Sequence, residues 1–253
     1  MITIAESCIK CGACAAACPT RHITMENGAP VVHEGRRCLQ CMHCTAMCPQ
    51  KAVHFDAVPA YEEYIDTPED AVLKLITMRR SIRRFKPEAP DKEDLQWALD
   101  MAQWAPSAKN LRPTRWLVVH GKDKCDGVYQ TAIELCKASG QMPDVVAQQK
   151  KENRNSVTCG CTAIILALEP DGNEWADTDG VIAAATLELV LQHIGIGTCW
   201  GGYMKRLLAA LPELVQSVGI PEGYHCAAAL LCGLPDEAYQ NVPWRPRAEV
   251  LWR

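Results

Sequence analysis

The chain has 253 residues, 48% hydrophobic and 22% charged, with a net charge of −4. That balance excludes an electrostatic grip on nucleic acid, and no apolar run approaches the roughly 18 residues a membrane span needs. Met1 to Ser7 has neither the basic nor the apolar segment of a secretory leader, so a cytoplasmic setting is expected for a chain long enough to hold two domains.

The first element is a cysteine framework. Eight of the fifteen cysteines lie within the first 48 residues, in two copies of C-x2-C-x2-C-x3-C-P: Cys8, Cys11, Cys14, Cys18 with Pro19, and Cys38, Cys41, Cys44, Cys48 with Pro49. This run holds pairs of [4Fe–4S] clusters, and in two-cluster domains the fourth cysteine of each run ligates the other cluster. Cys8, Cys11, Cys14 and Cys48 are therefore assigned to one cluster, and Cys38, Cys41, Cys44 and Cys18 to the other. Zinc sites separate their C-x2-C pairs by a dozen or more residues, and disulfides need an oxidising compartment, so both are disfavoured. Iron–sulfur clusters pass single electrons, so the amino-terminal part reads as an electron supply or drain.

The two runs repeat at 30 residues, Cys8 to Cys38. Between them, Ile23-Thr24-Met25 and Pro30-Val31-Val32 flank Asn27-Gly28, a hairpin signal. Val53-His54-Phe55 reads as a last short strand. The expected division is a cluster domain over residues 1–57, a linker over 58–66 and a larger domain over 67–253. Thr67 is the expected N-cap of a first helix, with Pro68 at its first position and Asp70 closing a capping box. A second helix starts near Asp91 and ends before Pro106. Trp116 to Val119 and Ala163 to Leu168 read as strands. A long, mostly apolar helix runs from Thr178 or Asp179 to His193, with Gly195 past its end. Cys226 to Leu231 is a final core strand. Helices and strands mix without βαβ alternation, so the class is α+β.

Arg79-Arg80-Ser81-Ile82-Arg83-Arg84 carries the second chemistry. Guanidinium groups bind phosphate through two parallel hydrogen bonds, and in an extended chain Arg79, Ser81 and Arg83 point one way. Taken alone, a basic run is more often a solvated face.

Met78 to Phe85 resembles the flavin-phosphate motif of the nitroreductase family. Ala105-Pro106-Ser107-Ala108-Lys109-Asn110 is similar to its second motif, and Asp179-Gly180 opens the long helix as in that family. Gly195 to Gly202, then Cys232-Gly233-Leu234-Pro235 and Val242-Pro243-Trp244-Arg245, complete the order. The whole resembles the branch that joins a two-cluster ferredoxin domain to a nitroreductase domain. One departure stands out. Arg112 replaces a frequent Gln, and Trp116 lies three residues beyond Pro113 instead of next to it.

The resemblance implies a mixed sheet with flanking helices and FMN at a homodimer interface. Arg79, Arg80, Ser81 and Arg83, with Arg245 from the tail, would serve the phosphate. Pro106, Ser107 and Asn110 would contact the flavin ring. A loop of Thr198, Cys199, Trp200, Gly201 and Gly202 would offer backbone N–H groups near N5. The function expected is an oxidoreductase taking electrons from an external low-potential donor, a ferredoxin or a reductase. They would pass through the clusters to FMN and on to a small electron-poor acceptor, a nitroaromatic or quinone. A dehydrogenase running in reverse and a non-catalytic electron-transfer adaptor are the alternatives.

Gly195-x-Gly197 is not a dinucleotide fingerprint, because it follows a helix and lacks the third glycine. The seven later cysteines, Cys159-Gly160-Cys161 among them, read as small core hydrophobes.

Overall fold

The computed structural model describes residues 1–56, 68–152 and 155–253. The expected linker and the Thr67 cap lie outside the described residues. The chain forms two compact units: Met1–Arg79 together with Glu237–Arg253, and Arg80–Asp236.

The first unit is built on the repeat. Helix α1 (Ala13–Ala17) and helix α2 (His43–Met47) are related by the same 30-residue step, and their C-caps, Cys18 and Cys48, share near-identical dihedrals (φ −74°, ψ 109° and φ −76°, ψ 111°). Left-handed residues repeat as well: Lys10 and Gln40, Gly12 and Met42, Arg21 and Lys51. Strand β1 (Ile2–Ile4) pairs antiparallel with β4 (Val53–Phe55) in a two-stranded sheet that joins the two ends of this segment. β2 (Ile23–Glu26) and β3 (Ala29–Val32) form the expected hairpin. Its turn has Asn27 at φ 50° and Gly28 at φ 77°, both positive as a type I′ turn requires. Helix α3 (Ala71–Met78) begins later than expected. Asp70 is its N-cap, accepting from Leu73 N–H at 2.9 Å, so Pro68 precedes the helix.

The second unit is a four-stranded sheet of order β5-β6-β8-β7. Its strands are β5 (Arg115–His120), β6 (Ala163–Pro170), β7 (Gly197–Trp200) and β8 (Tyr224–Gly233). The α+β class holds, and every pairing inside this sheet is antiparallel, with none of the mixed pairing the resemblance implied among the described strands. Helix α4 (Lys92–Met101) and helix α7 (Ala176–His193) cover one face, burying Leu95, Leu99, Leu187 and Leu191 against Ile165 and Leu230. The other face takes α5 (Lys122–Ser139), α6 (Pro143–Glu152), α8 (Gly202–Ala210) and α9 (Pro212–Val218). There Ile164, Leu166 and Leu231 pack with Ile133, Leu207 and Leu214. β6 is buried along nearly its full length because helices cover both of its faces.

α7 starts at Ala176, ahead of the expected Thr178 or Asp179. It passes the sheet closely at Gly180, where an added Cβ would lie 2.6 Å from the Ala227 Cβ. No helix among the described residues is long and apolar enough to cross a membrane.

Candidate cofactor sites

In the first unit the cysteines gather as two groups. The thiols whose charge bears on Cys14 are Cys48, Cys8 and Cys11. Those bearing on Cys44 are Cys41, Cys18 and Cys14, with Cys38 not among them. Cys48 thus bears on the first run and Cys18 on the second, while Cys14 bears on Cys44 as well. Burial pushes the Cys14 thiol up to about 11 and Cys44 further in the same direction. A buried thiolate needs a compensating cation, which iron supplies by taking the proton's place. The donor set therefore fits [4Fe–4S] clusters.

Backbone N–H groups also reach the sulfurs. Lys10 N–H donates to Cys8 Sγ and Gln40 N–H to Cys38 Sγ, each at 3.4 Å, and Ala52 N–H to Cys48 Sγ at 3.2 Å. Such bonds stabilise charge on sulfur and set cluster potential. The left-handed residues in each run turn these amides inward. His43 is buried with its ring edge-on to Tyr239, centroids 5.4 Å apart. The tail continues the clasp: Gln240 N–H and Asn241 N–H both donate to Ala46 O, at 2.8 and 3.1 Å. The Asn241 Nδ2 donates to Cys48 O at 3.0 Å and Thr45 O at 3.3 Å, covering the open carbonyls of α2. Arg245 lies further along this tail, exposed, its Nη1 donating to Trp244 O.

In the second unit the arginine segment lies along β7. Ile82 N–H donates to Thr198 O at 2.8 Å, and Gly197 leaves room for the Ile82 side chain, which an added Cβ would meet at 2.9 Å. Lys86 N–H to Leu234 O and Asp236 N–H to Arg84 O continue the contact. Extended backbone puts Ser81 and Arg83 on one side, and both act on the Cys199 thiol, Ser81 by a hydrogen bond and Arg83 by its charge. A hydroxyl and a guanidinium sharing one spot fit a phosphate. Arg80 is buried at 8% exposure, whereas Ser81 and Arg83 are half-buried. Arg79 caps α3 in the first unit.

The expected loop from Thr198 to Gly202 is a correction. Thr198, Cys199 and Trp200 form β7, paired with β8, and Gly202 opens α8. The Gly201 N–H donates to Ala229 O at 2.8 Å, so the sheet uses it. By antiparallel alternation the Trp200 N–H faces the outer edge of β7, with the Thr198 carbonyl.

Glu188 fixes this strand, and the sequence reading passed over it. Its Oε2 accepts from Trp200 Nε1 at 3.0 Å and its Oε1 from Thr198 Oγ1 at 3.3 Å. The signal was available: a carboxylate in the apolar stretch Ala183 to Leu191 must have partners.

Pro106, Ser107 and Asn110 lie on a loop of unusual backbone. Lys109, Asn110 and Arg112 have φ of 54°, 55° and 48°. Left-handed L-residues cost about 1–2 kcal/mol each, and such strain gathers at ligand-binding positions. Three bonds hold the loop: Ser107 Oγ accepts from Arg112 N–H at 2.8 Å, Ser107 O from Asn110 N–H at 3.0 Å, and Asp179 Oδ1 from Ala108 N–H at 2.9 Å. Asp179 Oδ2 is buried without a hydrogen-bond partner. Close by, fully buried Glu169 accepts from Thr114 Oγ1. Burial, and then the charge of Asp179, hold the Glu169 carboxyl above its usual range against the pull of the Thr114 bond.

One unit with helices on both faces of an antiparallel sheet, and one that carries two thiolate runs, define a redox protein of two modules. Residues 76–234 match the nitroreductase family profile, and residues 7–53 match the 4Fe-4S dicluster domain profile. The chain belongs to the nitroreductase family and carries an N-terminal 4Fe-4S dicluster domain. It is 26% identical over 168 residues to YfhC of Bacillus subtilis, which bears a provisional name as an NAD(P)H nitroreductase; the match covers 65% of this chain and 84% of that protein. It is 25% identical over 185 residues to the iodotyrosine deiodinase of Thermotoga neapolitana, covering 71% and 95%. Among solved structures, an FMN-bound nitroreductase from Desulfitobacterium hafniense shares the fold at a TM-score of 0.59 and 24% identity, covering 71% of this chain and 96% of its own.

Proposed function

We propose that this protein is an FMN- and iron–sulfur-dependent oxidoreductase. Electrons from an external low-potential donor enter the thiolate-held clusters, reach FMN, and pass to a small flat electron-poor aromatic or quinone. The observation that carries the reading is the union, in one family member, of two thiolate groups with a Ser81–Arg83 pair stitched along β7. The acceptor class draws support from relatives named as a nitroreductase and an iodotyrosine deiodinase, and from an iodotyrosine deiodinase structure holding FMN and 3-iodo-L-tyrosine.

FMN, when bound, supplies the step between one-electron supply and two-electron delivery. The protein's part is to hold and tune it. Ser81 and Arg83 take the phosphate. The Pro106–Asn110 loop, held in its strained form by Asp179, lies against the ring. Trp200, oriented by Glu188, presents its backbone N–H. We assign a homodimer as the working form. α3 buries none of its residues, leaving Val72, Leu73 and Ile76 more than half exposed, an apolar face that calls for a second copy. A reducing cytoplasm suits eight thiolate ligands.

The test is anaerobic purification with iron, sulfide and flavin assays. Two clusters and one FMN per chain are expected. The joint variant Ser81→Ala, Arg83→Ala should lose flavin and keep iron; unchanged flavin content would remove the clamp. Cys11→Ala with Cys41→Ala should abolish donor-fed turnover while chemically reduced FMN still reduces acceptors.

A further inference from the structure

Five of the seven cysteines outside the cluster runs crowd together at one end of the larger sheet. Cys125, Cys161 and Cys232 are fully buried, Cys199 is 5% exposed, and Cys159 is partly open to solvent. Two pairs of thiols hydrogen-bond one another: Cys125 with Cys161, and Cys159 with Cys199. The first pair is sealed in the core. The second has one sulfur that a small molecule can reach.

The backbone delivers Cys159 to its partner by a strained turn. Cys159 has φ 52° and Gly160 φ 67°, immediately before β6. Asn155 holds the turn: its Oδ1 accepts from Thr158 N–H at 2.8 Å and its Nδ2 donates to Thr158 Oγ1 at 2.6 Å. Cys161 N–H then closes back on Thr158 O at 3.0 Å. Cys199 sits on β7 opposite Leu231 of β8, which is itself opposite Ile164 of β6. Cys199, Leu231 and Ile164 thus share one face of the sheet, and Cys159 packs on that same cluster. A core that needed only a small hydrophobe at residue 159 would gain from Gly or Asn in this left-handed position.

We propose that Cys159 and Cys199 form a reversible dithiol–disulfide couple, a two-electron redox centre additional to the clusters and the flavin, which exchanges with small-molecule disulfides. The step balances as follows. The Cys159 thiolate attacks one sulfur of an external disulfide, its S–S bond breaks, and one small thiol leaves with a proton. The Cys199 thiolate then attacks the Cys159 sulfur of the mixed disulfide and expels the second small thiol. Two protein thiols are oxidised, and one external disulfide is reduced to two thiols.

The surroundings suit Cys199 to the second attack. In the dithiol state, hydrogen bonding from Cys159, against the opposing effect of burial, together with the Arg83 charge and the Ser81 hydroxyl, brings its thiol down to about 7; once Cys159 is in the mixed disulfide, the Arg83 charge and the Ser81 hydroxyl remain to favour the thiolate. Cys136, Cys161, Cys226 and Cys232 are held above the ordinary thiol range, chiefly by burial for all but Cys161, whose bond to Cys125 comes first. Reactivity follows the thiolate, so those four are inert by comparison.

The proposal stands apart from the flavin reading and is tested without measuring turnover. The holoprotein is equilibrated anaerobically in graded mixtures of reduced and oxidised glutathione, quenched by alkylation, digested and mapped by mass spectrometry. The expected product is one Cys159–Cys199 disulfide that forms and reverses with the buffer. Cys199→Ser should instead trap a glutathione adduct on Cys159, and Cys159→Ser should leave Cys199 unmodified. The proposal is overturned if both wild-type thiols remain alkylatable in fully oxidised buffer, if the adduct on wild-type Cys159 persists, or if Cys159 pairs with Cys161.

Discussion

Asp179, in the first turn of α7, accepts a hydrogen bond from the backbone N–H of Ala108 at 2.9 Å, joining two motifs 71 residues apart. The bond ties the start of the core helix to a loop whose three left-handed residues would relax without it.

Asp179→Ala removes a charged acceptor worth about 1.5–3 kcal/mol and frees the loop. FMN affinity should fall by about tenfold or more, with iron content unchanged. Flavin fluorescence titration of the apoflavin form measures it. Asp179→Asn keeps an acceptor and should recover most of the loss. Equal affinity in Asp179→Ala would separate the loop from flavin binding.

Glu188→Leu strands the Trp200 indole N–H and the Thr198 hydroxyl inside the protein, at a cost of about 1–3 kcal/mol for each unsatisfied group. Glu188→Gln offers an oxygen to Trp200 and an amide to Thr198, so it should be mild. Thermal unfolding with tryptophan fluorescence ranks the two. A leucine variant as stable as wild type would discard the strut.

Glu169 gives a pH signature. Its folded-state carboxyl is raised, mainly by burial, with Asp179, Thr114, His225 and Asp177 as its polar neighbours. The folded chain therefore holds this proton more tightly than the unfolded chain. The associated stability is complete below the ordinary carboxyl range and is lost as pH rises through the raised value. Glu169→Gln should flatten that slope. Melting curves of both proteins from about pH 4 to about pH 8 decide it, and parallel curves would refute it.

Asn241→Ala uncovers the Thr45 and Cys48 carbonyls at the end of α2. A loss of about 1–2 kcal/mol is expected, near the upper end of the range for a neutral hydrogen bond. With Cys48 as the expected crossing ligand, the release of iron to a chelator should quicken, with flavin affinity measured alongside. Iron release at the wild-type rate would mean the tail is ornamental to the cluster.

The parts legible in the sequence were those set by local spacing. The cysteine runs, the Asn27-Gly28 hairpin, the strands β5, β6 and β8 and the Asp91 helix start all follow from neighbours within a few residues. What escaped depends on distant partners. Asp179 is one of the two expected helix starts, but Ala108 engages its side chain and α7 begins at Ala176. β7 is four residues opened by glycine, with little period of its own, and exists because β8 pairs with it. α5, α6, α8 and α9 were left unassigned, since their apolar residues become a stripe only against the sheet. The Cys159–Cys199 meeting is a product of the tertiary fold alone.

The two halves of the first unit repeat in backbone but not in depth. Every residue of α2 is buried, against two in α1, and Cys11 is exposed where Cys41 is half-covered. Lower solvent access makes it harder to add negative charge. A cluster held by the sheltered run would therefore sit at the more reducing potential, and one held at the Cys8–Cys11–Cys14 end would be the easier to reduce. Two copies of one backbone would thus differ by nothing more than how much water each can see.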